Sequence, residues 1–213
     1  MLTVLVANTK GGCGKTTIAT NLAGAFAVAG FETVLADCDR QKSSLGWVER
    51  RPGSMTDIKS VDWTQEITPL PAKTQRLIID APAALKRKQV EELVHMADMV
   101  VVPVLPSVFD ENTTRKFLGL LDKLKPVRKG KRAVAVVGNR MRPRTRSAER
   151  LDDFLAGIDQ RAVAALRDSQ SYGAAAMYGL SLFDMEDRRA LNFLQDWRVL
   201  LSFIDETTAN KDS

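Results

Sequence analysis

Residues 8–17 combine glycines and side chains that suit the binding of phosphate groups. They run N-T-K-G-G-C-G-K-T-T, between an apolar, β-branched run and an alanine-rich stretch of helical character. Glycines allow successive backbone N–H groups to converge on an anion, and the N-terminus of a following helix adds partial positive charge. In such a loop Lys15 is placed to reach the β- and γ-phosphates of a nucleotide, and the hydroxyl of Thr16 is placed to bind Mg²⁺. The segment therefore predicts a strand, a phosphate-binding loop and a helix in succession.

Carboxylates follow two later apolar runs of the chain. Asp37 and Asp39 come at the end of the run T-V-L-A-D, and Asp80 ends the run R-L-I-I-D. The carboxyl ends of parallel strands meet in the crevice where α/β sheets bind ligands. In P-loop enzymes an aspartate at the end of such a strand holds the water shell of Mg²⁺, and this is the role we predict for Asp80. Acids after a strand are a weak signal alone, but behind a phosphate loop the signal is much stronger.

Five motifs in order resemble those of the ParA/MinD family of ATPases. K-G-G-C-G-K-T-T resembles the family's deviant Walker A loop, because Thr9 stands where the common P-loop has glycine and an extra lysine, Lys10, precedes the double glycine. D-C-D-R-Q is similar to the family's D-x-D-P-Q, with Arg40 in place of proline. The resemblance covers nearly the whole chain and is completed by L-I-I-D, V-P-V-L-P-S and G-L-S-L-F.

The resemblance implies roles for individual residues. Lys10 would cross a dimer interface to the partner's nucleotide, Asp37 would support Mg²⁺ and its waters, and Asp39 would orient the attacking water. The family has an asparagine or similar residue near the adenine ring, at the position of Asn139, and the absence of an [NT]-K-x-D motif after any strand favours ATP over GTP. The predicted sets are catalytic (Lys10, Lys15, Asp39), nucleotide-binding (Lys10, Gly11, Gly12, Cys13, Gly14, Lys15, Thr16, Thr17, Asn139, Arg140) and metal-binding (Thr16, Asp37, Asp80).

A sheet with helices on its faces is needed to hold these motifs. Periodicity predicts helices over residues 18–30, 43–51 and 109–124 and a closing helix from about residue 187. Apolar runs predict buried strands, and because proline cannot donate to a ladder, Pro103 is expected to mark the end of its strand. The predicted fold is α/β, a mostly parallel twisted sheet flanked by helices, as in P-loop NTPases. We expect one domain over residues 1–213, with a frayed tail over about 206–213.

Basic residues are concentrated in one part of the chain. The formal net charge is +5, and residues 86–150 hold sixteen Lys or Arg against seven Asp or Glu. A clustered basic excess is an electrostatic footprint for a polyanion, although solvated helix faces would give the same count. Few aromatic residues are interleaved, which disfavours stacking on single strands. We predict that non-specific double-stranded DNA is contacted by Arg142, Arg144, Arg146, Lys129 and Lys131.

The resemblance also implies a function beyond nucleotide binding. In the family, ATP and Mg²⁺ close two protomers into a homodimer, the dimer binds DNA without sequence preference, and a partner protein on a cargo stimulates hydrolysis. The partner would be a ParB-like or McdB-like adaptor. Plasmid partition, chromosome segregation and the positioning of a chemoreceptor cluster or a carboxysome are the open alternatives for the cargo.

Two other functions compete with this one. A MinD-like ATPase of the membrane surface would carry a basic amphipathic tail, whereas residues 205–213 are polar and acidic. A metabolic ligase similar to dethiobiotin synthetase would usually lack a lysine at the position of Lys10 and would need a substrate pocket that no motif indicates. No run approaches the ~20 apolar residues of a membrane span, and no signal peptide is apparent. We therefore expect a cytoplasmic, nucleoid-associated protein with no membrane partner.

Overall fold

A parallel sheet forms the centre of the protein. The computed structural model describes residues 1–186 and 188–209, with side chains described outside 187–191. The strands of its described part are β1 (Leu2–Val6), β2 (Thr33–Asp37), β3 (Lys59–Asp62), β4 (Arg76–Asp80), β5 (Met99–Val104), β6 (Ala133–Met141) and β7 (Ala162–Arg167). Their order in the sheet is β3-β2-β4-β1-β5-β6-β7, and all neighbouring pairs are parallel. The predicted α/β class is confirmed.

Helices cover both faces of the sheet. Those in the described ranges are α1 (Lys15–Val28), α2 (Ser43–Glu49), α3 (Arg87–Met96), α4 (Val108–Leu121), α5 (Lys125–Arg128), α6 (Arg146–Ala156), α7 (Gln170–Met177) and α8 (Arg188–Ala209), with a 3-10 turn at Leu182–Asp184. Because parallel strands need crossover connections, helices fall on the two faces and inner strands such as β1, β2 and β5 are buried along their length, whereas the edge strand β3 is largely exposed. None of the described helices is long and apolar enough to cross a bilayer.

Two apolar cores, one on each face, hold the layers together. On one face Phe117 of α4 and Phe154 of α6 pack against the sheet. On the other, Phe26 of α1, Trp47 of α2 and Trp197 of α8 share a core with the sheet. Each such side chain contributes roughly 1.5–3 kcal/mol by leaving water. Trp47 is therefore a packing residue, and the two cores hold in place the strand ends that polar residues follow.

Pro103 lies inside β5 rather than at its end, so the predicted strand boundary is wrong. It pairs with Val137 of β6. Val101, two residues earlier, accepts from Ala7 on the β1 side, and residues two apart in a strand face the same neighbour. The missing N–H of Pro103 therefore faces the side where β1 has already ended, and its carbonyl oxygen accepts from Nδ2 of Asn8 at 2.9 Å. No ladder bond is lost, which is why the strand tolerates proline.

Several helix ends differ from the sequence prediction by a few residues. α1 begins at Lys15, directly after the glycine loop, and the chain turns at Gly30, whose φ is +88°. α8 continues through Ala209, so residues 206–209 are helical where a frayed tail is predicted. The rest of that predicted tail, 210–213, lies outside the described residues. The predicted start of the closing helix at about residue 187 agrees with the start of α8 at Arg188.

Candidate functional site

The loop between β1 and α1 makes a turn that requires glycine at one position. Gly14 has a φ of +94°, and a Cβ atom there would lie 2.1 Å from Nδ2 of Asn139. That amide donates a 2.8 Å hydrogen bond to the carbonyl oxygen of Cys13. α1 starts at Lys15, so its unpaired first N–H groups face the loop. The strand, glycine loop and helix are therefore assembled as the motif predicts, with Asn139 bracing the loop from the end of β6.

The two lysines of the loop have different surroundings. Lys15 is buried, and its Nζ donates to the carbonyl oxygen of Lys10 at 3.1 Å, within the loop itself. The Nζ of Lys10 instead lies 3.0 Å from Oδ1 of Asp110, in the first turn of α4. The side chain of Lys10 is 36% exposed and that of Asp110 only 5%. The amino groups of Lys10 and Lys15 therefore lie at different places beside the loop, each with its own partner.

Asp110 is not among the site residues predicted from the sequence. An acid in the first turn of a helix is ordinarily explained by the helix dipole, and nothing in the local sequence distinguishes this one. The signal comes only from the fold, which brings the start of α4 beside the glycine loop and buries the carboxylate. Since a buried charge without a partner is costly, the contact with Lys10 stabilises Asp110 in place.

Asp80 ends β4 in a buried position, and neither of its carboxylate oxygens accepts a hydrogen bond from the described residues. Burial raises the pKa of Asp80 to about 7, a rise to which the charge of Asp37 adds and which the hydroxyl of Thr16 and the charge of Lys15 oppose. Buried oxygens without partners are costly unless a ligand binds them. Mg²⁺ takes carboxylate and hydroxyl oxygens and keeps several waters. Thr16 and Asp80 therefore fit a hydrated Mg²⁺ beside a nucleotide.

Asp37 pairs with Asp80 in the register between β2 and β4, and the carboxylate of Asp37 hydrogen-bonds to the segment that follows it in sequence. Its Oδ1 accepts from the N–H of Asp39 at 2.9 Å, and its Oδ2 accepts from Ser44 at 3.0 Å and from Leu45 at 3.2 Å. These bonds satisfy N–H groups at the start of α2 and hold the turn after β2. Asp39 sits half-buried in that turn, where its Oδ1 accepts from the N–H of Gln41. Asp37 therefore positions Asp39, and its own part in holding metal stays a prediction.

The carboxylates alone do not make a metal centre. No three His, Cys, Asp or Glu side chains of the described residues come close enough together to hold an ion. A metal at this site would need further oxygen ligands from water or from a nucleotide, which is how Mg²⁺ is commonly held beside phosphates.

A cavity of about 560 Å³ adjoins the start of α1. Its volume lies within the range of roughly 300–1,000 Å³ that is usual for small-molecule sites. It is lined by Thr16 and Thr17 of α1, by Asn139 and Arg140, and by residues within or next to α2 and α7 that include Ser43, Trp47, Arg50, Ser169, Gln170 and Tyr172. Both polar groups of Asn139 already have partners, since its Oδ1 accepts from the N–H of Arg140. A contact of Asn139 or Arg140 with adenine stays a prediction.

The predicted DNA-binding residues do not form one surface. Lys129 and Lys131 precede β6, whereas Arg142, Arg144 and Arg146 follow it. Nine residues of strand at about 3.3 Å each separate the two groups by roughly 30 Å. The arginines lie at the end of the sheet that carries the glycine loop, and the lysines lie at the opposite end. Nη2 of Arg142 also donates at 2.9 Å to Asp168, which lines the large cavity.

A parallel sheet with a glycine loop before the first helix, and aspartates at the ends of two neighbouring strands, defines a P-loop nucleotide-binding domain. Residues 4–182 match the family model described as the CobQ/CobB/MinD/ParA nucleotide binding domain. The chain belongs to this family of ATPase domains, as its motifs predict.

Two curated relatives match most of the chain. The protein named Maintenance of carboxysome distribution protein A from Halothiobacillus neapolitanus is 25% identical over 193 residues, which are 87% of this chain and 88% of that protein. Protein ParA of Rhizobium radiobacter is 25% identical over 198 residues, which are 89% of this chain and 88% of that protein. The chain thus has the same sequence identity to a carboxysome distribution protein as to a ParA protein.

Solved structures share the fold. The ATP complex of a McdA variant from Cyanothece superposes with a TM-score of 0.73 at 16% identity, covering 98% of this chain and 96% of that one. A putative plasmid partition protein of Borrelia burgdorferi, bound to AMPPNP, gives 0.72 at 14% identity with 94% and 98% covered. The MinC:MinD complex of Aquifex aeolicus gives 0.71 at 16% identity with 95% and 96% covered.

Proposed function

We propose that this protein is an ATPase that dimerises on ATP, binds double-stranded DNA without sequence preference and so positions a cargo. The observation that carries this proposal is that the two loop lysines differ in their partners and in their exposure. Lys15 is buried against its own loop, while Lys10 is more exposed and is held by Asp110 outside that loop. A cation so placed is suited to serve the phosphates of a second protomer, as an arginine finger does.

The chemistry of the site follows from its residues. The N–H groups of Gly11, Gly12, Cys13 and Gly14 and the start of α1 would cradle the phosphates of ATP, with Lys15 beside the β- and γ-phosphates. Thr16 and Asp80 would hold Mg²⁺, which would neutralise charge on those phosphates, and Asp37 would support its waters. Asp39, kept in place by the bond from its N–H to Asp37, would orient the attacking water.

DNA and an adaptor are the partners we propose. Arg142, Arg144 and Arg146 lie at the same end of the sheet as the nucleotide loop, where ATP-dependent changes would reach them. Contacts of arginine with the phosphate backbone are salt-dependent and blind to sequence. The name of the Halothiobacillus neapolitanus relative makes a carboxysome one candidate cargo, and that of the Borrelia burgdorferi partition protein makes a plasmid another, with a McdB-like or ParB-like adaptor bound to it. Such a protein would act in the cytoplasm, on the nucleoid.

Binding to an unrelated labelled duplex, followed by fluorescence anisotropy, tests this function. We expect binding with ATP, none with ADP or without nucleotide, and a steep fall as salt rises. Lys10→Ala should keep ATP binding and lose ATP-dependent DNA binding, because the partner's phosphates then lack their cation. A parallel assay with anionic vesicles tests the competing membrane-surface function. DNA binding that ignores the nucleotide, or ATP-dependent binding to vesicles alone, would contradict the proposal.

A further inference from the structure

The edge strand β7 is closed at its carboxyl end and open at its start. Among the described strands its only neighbour is β6, so the other side of β7 carries backbone groups that no ladder partner satisfies. At the carboxyl end α8 covers this side, because the N–H of Arg167 donates at 3.1 Å to Asp196, which also pairs with the guanidinium of Arg167. The described residues of α8 form no such hydrogen bond with Ala162 or Ala165, nearer the start of the strand.

The N–H of Ala165 faces the open side of β7. Asp168 donates its N–H to the carbonyl oxygen of Met141 on β6, whereas the N–H of Arg167, one residue earlier, points away from β6 to α8. Residues two apart in a strand face the same neighbour, so Ala165 points its N–H as Arg167 does. Ala165 is also exposed. A further strand would therefore reach this donor without disturbing the ladder between β6 and β7.

A groove of about 550 Å³ runs beside the open half of β7, between this strand and α8. Val163 of β7 and Val199 and Phe203 of α8 give it apolar walls, and Val199 is 55% exposed. An open strand edge beside exposed apolar side chains is the kind of surface to which an extended peptide adds.

The opposite edge of the sheet, β3, is different. Three of its four residues are exposed, and its charges are partnered, Lys59 by Glu32 and Asp62 by Lys42. Charged side chains on an edge strand discourage the addition of another strand. The open half of β7 is therefore the edge at which the sheet is better suited to accept a guest.

The charge of the groove selects the kind of guest. Arg161 and Arg198 line the groove and are exposed, and neither forms an ion pair with the described residues. Glu206 is the one acid among the lining residues. Symmetric pairing of two copies would bring the arginines of both protomers together, since such an interface sets a patch against itself. DNA would supply negative charge but no backbone acceptor in strand geometry for the N–H of Ala165.

We propose that the open half of β7 binds an extended, acidic segment of a partner protein, which adds a further strand to the sheet. Main-chain hydrogen bonds to the edge supply affinity, and the guest's side chains supply specificity. Apolar side chains pack on Val199 and Phe203, and carboxylates pair with Arg161 and Arg198. This binding requires neither nucleotide, DNA nor a dimer, so it is independent of the proposed function.

The test uses the peptide acetyl-Glu-Thr-Val-Glu-Thr-Val-amide as the probe. In a strand it places one acidic and one apolar side chain on each face. The same peptide with Gln in place of Glu is the neutral control ligand. Calorimetry on the nucleotide-free protein should show that the acidic peptide binds and that the neutral one binds about tenfold more weakly, because two charge contacts are lost. The amide hydrogen of Ala165, followed by NMR, should exchange more slowly when the acidic peptide is bound.

Two pairs of variants separate the charge from the backbone. Arg161→Gln, Arg198→Gln should bind the acidic peptide about tenfold more weakly, whereas Lys125→Gln, Arg128→Gln makes the same charge change on α5 and should bind as the wild type does. Ala165→Pro removes the outward N–H without removing a ladder bond, so it should fold and lose the peptide. Ala165→Val keeps the N–H and should retain the peptide. Urea unfolding checks that each variant is folded.

Several outcomes would overturn the proposal. Equal affinity for the two peptides, or equal binding by Ala165→Pro and Ala165→Val, would contradict it directly. Displacement of the acidic peptide by an unrelated duplex would assign the arginines to DNA instead, and a concentration-dependent dimer that Ala165→Pro abolishes would assign the edge to a second copy. If Ala165→Pro does not fold, the charge variants decide: an unchanged affinity in the Arg161/Arg198 variant, or an equal loss in the α5 variant, overturns the site. None of these measurements contains nucleotide, so failure of ATP-dependent DNA binding would leave them untouched.

Discussion

At the scale of single residues, the site depends on how each charge is partnered. Both carboxylate oxygens of Asp37 accept hydrogen bonds from backbone N–H groups, whereas neither oxygen of Asp80 accepts one from the described residues. Two aspartates at equivalent ends of neighbouring strands therefore have different structural roles. One holds a turn in place, and the other keeps oxygens free for a ligand. Asp39 belongs to the first of these turns and takes its position from it.

Replacing Asp39 by alanine tests its proposed role. Asp39→Ala should bind ATP normally, because the loop and Asp80 are unchanged, yet hydrolyse it at least ~100-fold more slowly, the usual loss on removal of a general base. The variant should therefore persist as an ATP-bound dimer. Turnover, ATP affinity and mass by light scattering measure the three effects. Asp57→Ala, an exposed aspartate outside the site, is the matched control. Wild-type turnover in Asp39→Ala would show that another group orients the water.

At the scale of elements, the strands were predictable because their apolar runs are local. β2 and β4 have the bounds that the sequence indicates, and the glycine loop falls between β1 and α1 as predicted. Pro103 was misjudged because its tolerance depends on β1 having ended beside it, which is a property of the sheet. Asp110 was missed for the same reason, since its partner lies on another element. Local pattern predicts elements, whereas contacts between elements need the fold.

One contact between elements predicts a pH-dependent stability. Arg51 follows α2, and its guanidinium pairs with Asp184, where both side chains are at most 5% exposed. Burial by itself would raise the pKa of Asp184, but hydrogen bonds from Arg51 and Ser181 outweigh it and lower the pKa below its usual range. A carboxyl group with a lowered pKa stabilises the fold above the unfolded-state value of about 4, and this stability is lost as the pH falls through the folded-state pKa.

Asp184→Asn should therefore destabilise the protein by about 3–5 kcal/mol at pH 7, because it leaves Arg51 buried without its counter-charge. The difference from wild type should hold from pH 7 to about 5 and shrink below about pH 4. Urea unfolding across pH measures it. Glu91→Gln removes the exposed pair with Arg87, whose side chains are 72% and 37% exposed, and should cost under ~0.5 kcal/mol. A loss as small for Asp184, or one that persists in acid, would contradict this account.

At the scale of the whole molecule, basic residues that are close in sequence lie at opposite ends of the sheet. The strand β6 carries the chain from Lys131 at one end to Arg142 at the other. Under the proposed function, we expect the DNA surface to lie near the glycine loop, and the arginine group is at that end of the sheet. Arg142 also contacts Asp168, which lines the cavity beside the start of α1, so a nucleotide bound in that cavity would lie close to this group.

The two ends of the sheet therefore make different predictions for DNA binding. Arg142→Ala, Arg144→Ala and Arg146→Ala together should weaken ATP-dependent DNA binding and leave ATP affinity intact. If all three contact phosphates in both protomers, the slope of log K against log salt should become shallower by about 5, which is 0.9 for each of about six contacts. The matched triple variant Lys125→Ala, Lys129→Ala, Lys131→Ala removes equal charge from the other end and should change that slope little. Salt titrations of both variants test this prediction. Loss of ATP affinity in the arginine variant would assign these residues to folding. A larger loss of DNA binding in the lysine variant would place the DNA at the opposite end of the sheet.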